Sequence, residues 1–115
     1  MTDVTAGMDA RLLRNYTQSL VNRCFKILPM REKDEASLPS YLDSLDAELL
    51  GCMSLASSVN YDPAFAGLMS IIRFLRDHPE CQVSEVKRYV FKAISLCNKL
   101  TSLVEEEISK EGGDQ

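Results

Sequence analysis

Apolar side chains recur every three or four residues along most of this chain, the spacing that places them on one face of an α-helix. Four stretches with this period are separated by proline or short polar segments, and they predict helices near 9–28, 38–59, 63–77 and 84–108. Their apolar positions are, in chain order, Leu13, Tyr16, Leu20, Cys24 and Ile27; Leu42, Leu45, Leu49, Cys52, Ala56 and Val59; Phe65, Leu68, Ile72 and Leu75; and Val86, Val90, Ala93, Cys97, Leu100 and Val104.

The residues between these stretches predict where each helix begins and ends. Pro29 disfavours helical geometry in the residue before it, so the first helix is predicted to end at Leu28 and 30–37 to form a polar linker. Ser37 can cap the second helix, because a side-chain oxygen at that position accepts a bond from a free backbone N–H. Gly51 interrupts the second helix and suggests a close approach to a neighbouring helix.

The third and fourth helices also carry start signals. Asp62 and Pro63 are a cap and a first-turn proline, the usual order at a helix start. His78 and Pro79 end the third helix, and Ser84 is placed to cap the fourth.

These elements predict an all-α fold, a single-domain antiparallel four-helix bundle. The chain has 115 residues, enough for one modest core without a disulfide or a metal. We expect a flexible N-terminal lead-in over 1–8, the bundle over 9–108 and a flexible C-terminal tail over 109–115. The residues expected to be buried are Leu20, Leu45, Leu49, Ile72, Val90 and Cys97.

No catalytic pattern accompanies the helices. The five glycines form no phosphate-binding loop, and the four cysteines form no C-x-x-C pair. The segment from Asp77 to Cys81 brings together a carboxylate, the one histidine (His78) and a thiol, but no second cluster of metal ligands matches it. We therefore expect no catalytic residue, no cofactor and no metal, and a small enzyme or metal-binding protein centred on His78 and Cys81 is the third hypothesis.

Composition points to a cytoplasmic protein. Three of the four cysteines fall in apolar stripes, where a reduced thiol behaves as a small hydrophobe. No apolar run is long enough for a membrane span, and no basic, apolar leader precedes the first helix.

Apolar positions outside the main stripes predict a protein partner. The third helix is apolar over most of its circumference, and the fourth carries a second apolar line beside its stripe. Such a surplus is typical of an interface, so the leading hypothesis is a non-enzymatic interaction module that forms a homo-oligomer or joins a larger complex, as an adaptor or inhibitor. The candidate interface residues are Ile71, Phe74, Tyr89, Leu96 and Leu103.

Charge is divided unevenly between the helices, although the net charge is only −4. Residues 34–62 contain six acidic and no basic side chains, whereas the first and fourth helices carry most of the basic ones. The candidate acidic face is Asp43, Asp46 and Glu48. The candidate basic face is Arg11, Arg14, Lys26, Arg88, Lys92 and Lys99.

The basic face supports the alternative hypothesis of a nucleic-acid-associated accessory protein, such as a mobile-element, phage or defence-system component. In an up-and-down bundle the first and fourth helices are neighbours, so their basic residues are expected to merge into one surface. A negative net charge and the absence of tryptophan count against a dedicated nucleic-acid-binding domain.

Overall fold

The computed structural model describes residues 10–55 and 62–113 and contains four helices in this part of the chain. They are α1 (Ala10–Glu32), α2 (Leu38–Leu55), α3 (Pro63–Asp77) and α4 (Val83–Gly113). No strand occurs among the described residues, so the all-α four-helix prediction is confirmed. The expected lead-in over 1–8 and the stripe positions Ala56 and Val59 lie outside the described residues.

The helices form an antiparallel bundle in which each packs against its neighbours in the order α1, α4, α3, α2. Along α1 and α4, Thr17 contacts Thr101 and Cys24 contacts Cys97, so the residue number rises on one helix as it falls on the other. The most extensive contact is between α1 and α4, which are therefore the central pair.

The core is built from the predicted stripes. The six residues expected to be buried (Leu20, Leu45, Leu49, Ile72, Val90 and Cys97) are all within 1% of complete burial. The largest side chain enclosed with them is Phe65 of α3. The three- and four-residue periodicity was therefore sufficient to assign the inner face of each described helix.

The first helix does not end at Leu28 as predicted, because α1 continues through Pro29 to Glu32. Proline removes one backbone donor, and Pro29 is exposed, so water can reach the carbonyl that loses its partner. The helix is closed after Glu32 by Asp34, whose φ of 55° is left-handed. The N–H of Glu35 donates to the carbonyl of Met30, and that of Asp34 to Arg31, a Schellman motif that closes the helix.

The start of α3 is confirmed and the start of α4 is corrected. A carboxylate oxygen of Asp62 accepts a 2.8 Å bond from the N–H of Ala64, with Pro63 in the first turn. The fourth helix begins at Val83 rather than Ser84, because the carbonyl of Gln82 accepts the first helical bond, from Val86. It extends to Gly113, beyond the predicted end near residue 108.

The close approach between helices occurs at Gly67 and not at Gly51. A Cβ added to Gly67 would lie 3.2 Å from Cδ1 of Leu96, so α3 approaches α4 closely there. A Cβ added to Gly51 would meet no described heavy atom within 4 Å.

Candidate interaction face

The acidic residues of α2 form ion pairs with arginines of neighbouring helices. Asp46 lies between two arginines of α3, with Oδ1 2.7 Å from Nε of Arg73 and Oδ2 3.3 Å from Nη1 of Arg76. Asp43 lies 3.7 Å from the same guanidinium of Arg76. The predicted acidic face therefore joins α2 to α3.

Glu48, the third acidic residue, joins α2 to α1. The guanidinium of Arg23 bonds both of its carboxylate oxygens, one at 2.7 Å. This bidentate bond holds the pKa of Glu48 below its usual value. The phenol of Tyr41 donates to the backbone carbonyl of Arg23 at 2.7 Å. Glu48 and Tyr41 of α2 therefore both form hydrogen bonds with Arg23 of α1.

The five candidate apolar residues are packed largely within the chain. Ile71 is buried, and Phe74, Tyr89, Leu96 and Leu103 are half-buried against the core. The rings of Phe74 and Tyr89 lie 4.8 Å apart and join α3 to α4. Many of the extra apolar side chains of α3 and α4 therefore pack between these two helices.

The candidate basic residues lie on opposite sides of the α1/α4 pair. Lys92 and Lys99 follow Tyr89 and Leu96 by three residues each, so they lie on the α3 side of α4. Arg88 also points there, because its guanidinium lies 5.8 Å from the ring centre of Tyr89. On α1, Lys26 lies one turn beyond Arg23, on the side that faces α2.

Arg11 and Arg14, the other two basic candidates, lie near the N-terminus of α1. Arg14 is one turn before Thr17, which contacts Thr101 of α4, so it lies at the same end of the bundle as Glu105. The structure thus makes α1 and α4 neighbours as predicted but does not bring all six basic residues onto one surface.

Two exposed phenylalanines occupy the outer seam between α1 and α4. Phe25 is 45% exposed and Phe91 is 46% exposed, yet their rings contact each other edge to face at 6.1 Å between centroids. Since α2 and α3 pack on the other sides of this helix pair, the seam faces solvent.

The residues around these rings are mostly neutral. Half-buried Val21 and Leu28 lie one turn from Phe25 on α1, and Ile94 lies one turn from Phe91 on α4. Polar side chains without charge extend the surface on both helices. We call the surface formed by Gln18, Val21, Asn22, Phe25, Leu28, Phe91, Ile94 and Asn98 the seam face.

Sequence reasoning missed the seam face because Phe25 and Phe91 fall outside the periodic stripes. A signal was present: each phenylalanine interrupts the polar side of its helix, and an up-and-down bundle makes those two helices neighbours. The two rings lie at the same level along the bundle axis because of the register of α1 against α4. The hydrophobic pattern does not predict this register.

The segment around His78 forms the C-terminal cap of α3. The backbone N–H of His78 donates to the carbonyl of Phe74, its ring lies 4.4 Å from that of Phe74, and Nδ1 lies 3.0 Å from Glu80. The Cys81 thiol donates to Glu85, and burial together with this carboxylate raises its pKa, which disfavours the reactive thiolate. In the described part of the chain no three metal-ligating side chains cluster.

A cavity of about 360 Å³ lies at the end of the bundle where α1 and α3 finish. Its lining includes the apolar side chains of Ile27, Leu42 and Val86 as well as Arg31. Its size is that of a small-ligand site. The guanidinium of Arg31 also donates to the backbone carbonyl of Cys81 at 2.9 Å. This bond links α1 to the segment just before α4.

Comparison with protein-family models, with curated proteins and with solved structures gives no match to this chain. Within the described ranges, no helix is both long enough and apolar enough to cross a membrane. The two exposed and adjacent rings of Phe25 and Phe91 make the seam face the candidate interaction site.

Proposed function

We propose that this protein is a non-enzymatic interaction module of the cytoplasm that binds a protein partner through the seam face. The observation that carries the proposal is the exposure of Phe25 and Phe91 side by side, with uncharged side chains over most of the surface around them and Lys87 at its edge. Centres of protein interfaces are enriched in aromatic residues and depleted of charged ones.

Energetics supports a partner at this position. Each buried Å² of apolar surface contributes about 25 cal/mol, and two adjacent rings supply a compact area that a partner can cover at once. Exposed apolar residues that are scattered singly need no such explanation. Leu12 on α1 and Leu50 on α2 are also exposed and serve as controls.

The cysteines support the cytoplasmic assignment. Cys24, Cys81 and Cys97 are buried free thiols, and the sulfur atoms of Cys24 and Cys97 lie 4.0 Å apart in a thiol hydrogen bond rather than a disulfide. The contact with Cys24 and burial raise the pKa of the Cys97 thiol, so it remains protonated and packs as an apolar group. Reduced cysteines are usual where the cell keeps thiols reduced.

Size-exclusion chromatography of extracts from cells that express the chain at its native level tests the proposal. The wild type should elute well above its own mass of 12.9 kDa, whereas the Phe25→Ser/Phe91→Ser variant should elute as a monomer. The Leu12→Ser/Leu50→Ser variant, with two exposed apolar residues changed elsewhere, should elute like the wild type. Elution of the wild type as a monomer, or of the seam variant with the wild type, would overturn the proposal.

A second candidate function is nucleic-acid association through the α3 side of α4. Arg88, Lys92 and Lys99 are exposed and form no ion pair with another described residue, whereas the acidic residues of α2 are paired. Phosphate contacts by these cations would weaken steeply with salt. Binding of a labelled duplex that falls with rising salt and is lost in Lys92→Glu/Lys99→Glu would support it, and no binding at low salt would refute it.

A further inference from the structure

The seam face is bounded by four charged residues, one at each corner. On α1, Arg14 and Glu32 are eighteen residues apart, and on α4, Lys87 and Glu105 have the same separation. Eighteen residues are about five turns at 3.6 residues per turn, so both members of each pair point in the same direction from their helix.

These four side chains point towards the same side of the helix pair as the seam face. Lys87 lies one turn before Phe91, and Glu32 lies two turns beyond Phe25. Because α1 and α4 are antiparallel, Arg14 and Glu105 lie at one end, near the Thr17–Thr101 contact. Glu32 and Lys87 lie at the other end, where Arg31 bonds Cys81.

The corner charges therefore alternate in sign around the face. None of the four side chains forms an ion pair with another described residue. Arg14 is half-buried, while Glu32, Lys87 and Glu105 are exposed. Opposite charges on a partner can therefore form ion pairs with these four side chains.

We infer that the partner of the seam face is a second copy of this chain, related to the first by a two-fold axis. The inference rests on the proposed function. Two identical faces meet about an axis that lies in the plane of contact, because such an interface is isologous. An axis parallel to the helices places α1 against the partner's α4, and an axis perpendicular to them places α1 against its own copy.

With either axis, each corner charge of one copy faces a corner charge of opposite sign on the second copy. With the parallel axis, Lys87 meets the partner's Glu32, and the Phe25 and Phe91 rings of both copies form one aromatic cluster. With the perpendicular axis, Lys87 meets the partner's Glu105, and Arg14 meets the partner's Glu32. A foreign partner would have to reproduce this arrangement, whereas a second copy already carries it.

Sedimentation of the purified full chain over a concentration series tests the inference. The wild type should convert from monomer to dimer as concentration rises. Lys87→Glu should raise the dimer dissociation constant about tenfold, because one reversal acts at two symmetric places. Lys99→Glu, on the α3 side of α4, is the matched control and should leave the constant unchanged.

Charge restoration identifies the axis. Adding Glu32→Lys to Lys87→Glu should recover dimerisation if the axis is parallel to the helices, and adding Glu105→Lys should recover it if the axis is perpendicular. Recovery in either double variant supports the two-fold dimer, and recovery in neither overturns it. Circular dichroism of each variant checks that the monomer fold is retained.

A failure of this inference is distinguishable from a failure of the proposed function. A purified chain that stays monomeric at every concentration, while the extract still contains a larger species sensitive to Phe25→Ser/Phe91→Ser, excludes the second copy and retains a foreign partner. A monomer in both settings removes both proposals.

Discussion

Leu49 and Leu50 are adjacent in α2 and have opposite environments. Leu49 is completely buried, whereas Leu50 is 48% exposed. The heptad-like spacing of Leu42, Leu45 and Leu49 predicted this difference, because one position further along turns a side chain about 100° around the helix. At the scale of single residues, burial in the bundle follows directly from the periodic pattern.

Leu49→Ala should lower the free energy of unfolding by about 2–5 kcal/mol, because it removes buried methyl groups and leaves a cavity. Leu50→Ala makes the same chemical change one residue away and should cost less than about 0.5 kcal/mol. Urea denaturation of both variants measures the difference. Equal losses would show that the two leucines share one environment.

Asp46 shows what the pattern does not supply at the same scale. Its partners, Arg73 and Arg76, are far away in the sequence, so the carboxylate could not be assigned to an internal ion pair before the register of α2 against α3 was known. The sequence therefore predicted an acidic surface where the fold places a bond between helices.

Asp46→Ala should destabilise the protein by about 1–3 kcal/mol, because it removes a carboxylate that is 12% exposed and that pairs with both Arg73 and Arg76. Arg76 keeps its contacts with Asp43 and Asp77. Asp43→Ala is the control. Its side chain is 68% exposed, so removing its pair with Arg76 should change stability by less than about 1 kcal/mol. Thermal denaturation at fixed pH compares them, and a greater loss for Asp43→Ala would contradict this assignment.

Helix boundaries were predictable where the signal is local and were missed where it is not. Asp62 and Pro63 sit next to the helix they start, and α3 begins as predicted. The end of α1 depends on the left-handed Asp34 and on the contact of Arg31 with Cys81, fifty positions away in the sequence. A proline alone could not outweigh these contacts.

Gly51→Ala should stabilise the protein by about 0.5–1 kcal/mol, since alanine is the better helix former and the added methyl meets no described atom within 4 Å. Gly67→Ala should gain less or lose stability, because its methyl would press on Leu96 at 3.2 Å. Urea midpoints of the two variants test the order. A larger gain at Gly67 would mean that α3 and α4 are not closely packed there.

The contact between α1 and α2 should depend on pH through Glu48. Arg23 lowers the pKa of this carboxyl in the folded chain below its ordinary value near 4.5. A lowered pKa stabilises the fold above the unfolded-state pKa, and that stabilisation is lost as pH falls through the folded-state pKa.

The stability difference between the wild type and Glu48→Gln should therefore be constant near neutral pH and shrink as pH falls below about 4.5. Thermal denaturation of both proteins across a pH series measures it. A difference that grows on acidification would reverse the sign of the linkage and exclude Glu48 as its source.

At the scale of the whole molecule, the order of the helices was predictable and the use of their outer faces was not. Much of the apolar surplus of α3 and α4 is taken up between those helices, and the acidic residues of α2 are paired with arginines of α1 and α3. The seam face, which carries the adjacent rings of Phe25 and Phe91, remains exposed to solvent. The proposed function depends on that surface.

Hydroxyl-radical footprinting of the purified chain at low and high concentration tests most directly whether a second copy covers the seam face. Oxidation of Phe25 and Phe91 should slow severalfold at high concentration, when a second copy covers the seam face, while Leu12 and Leu50 should react at the same rate in both samples. Unchanged oxidation of both phenylalanines, or protection of Leu12 and Leu50 instead, would contradict it.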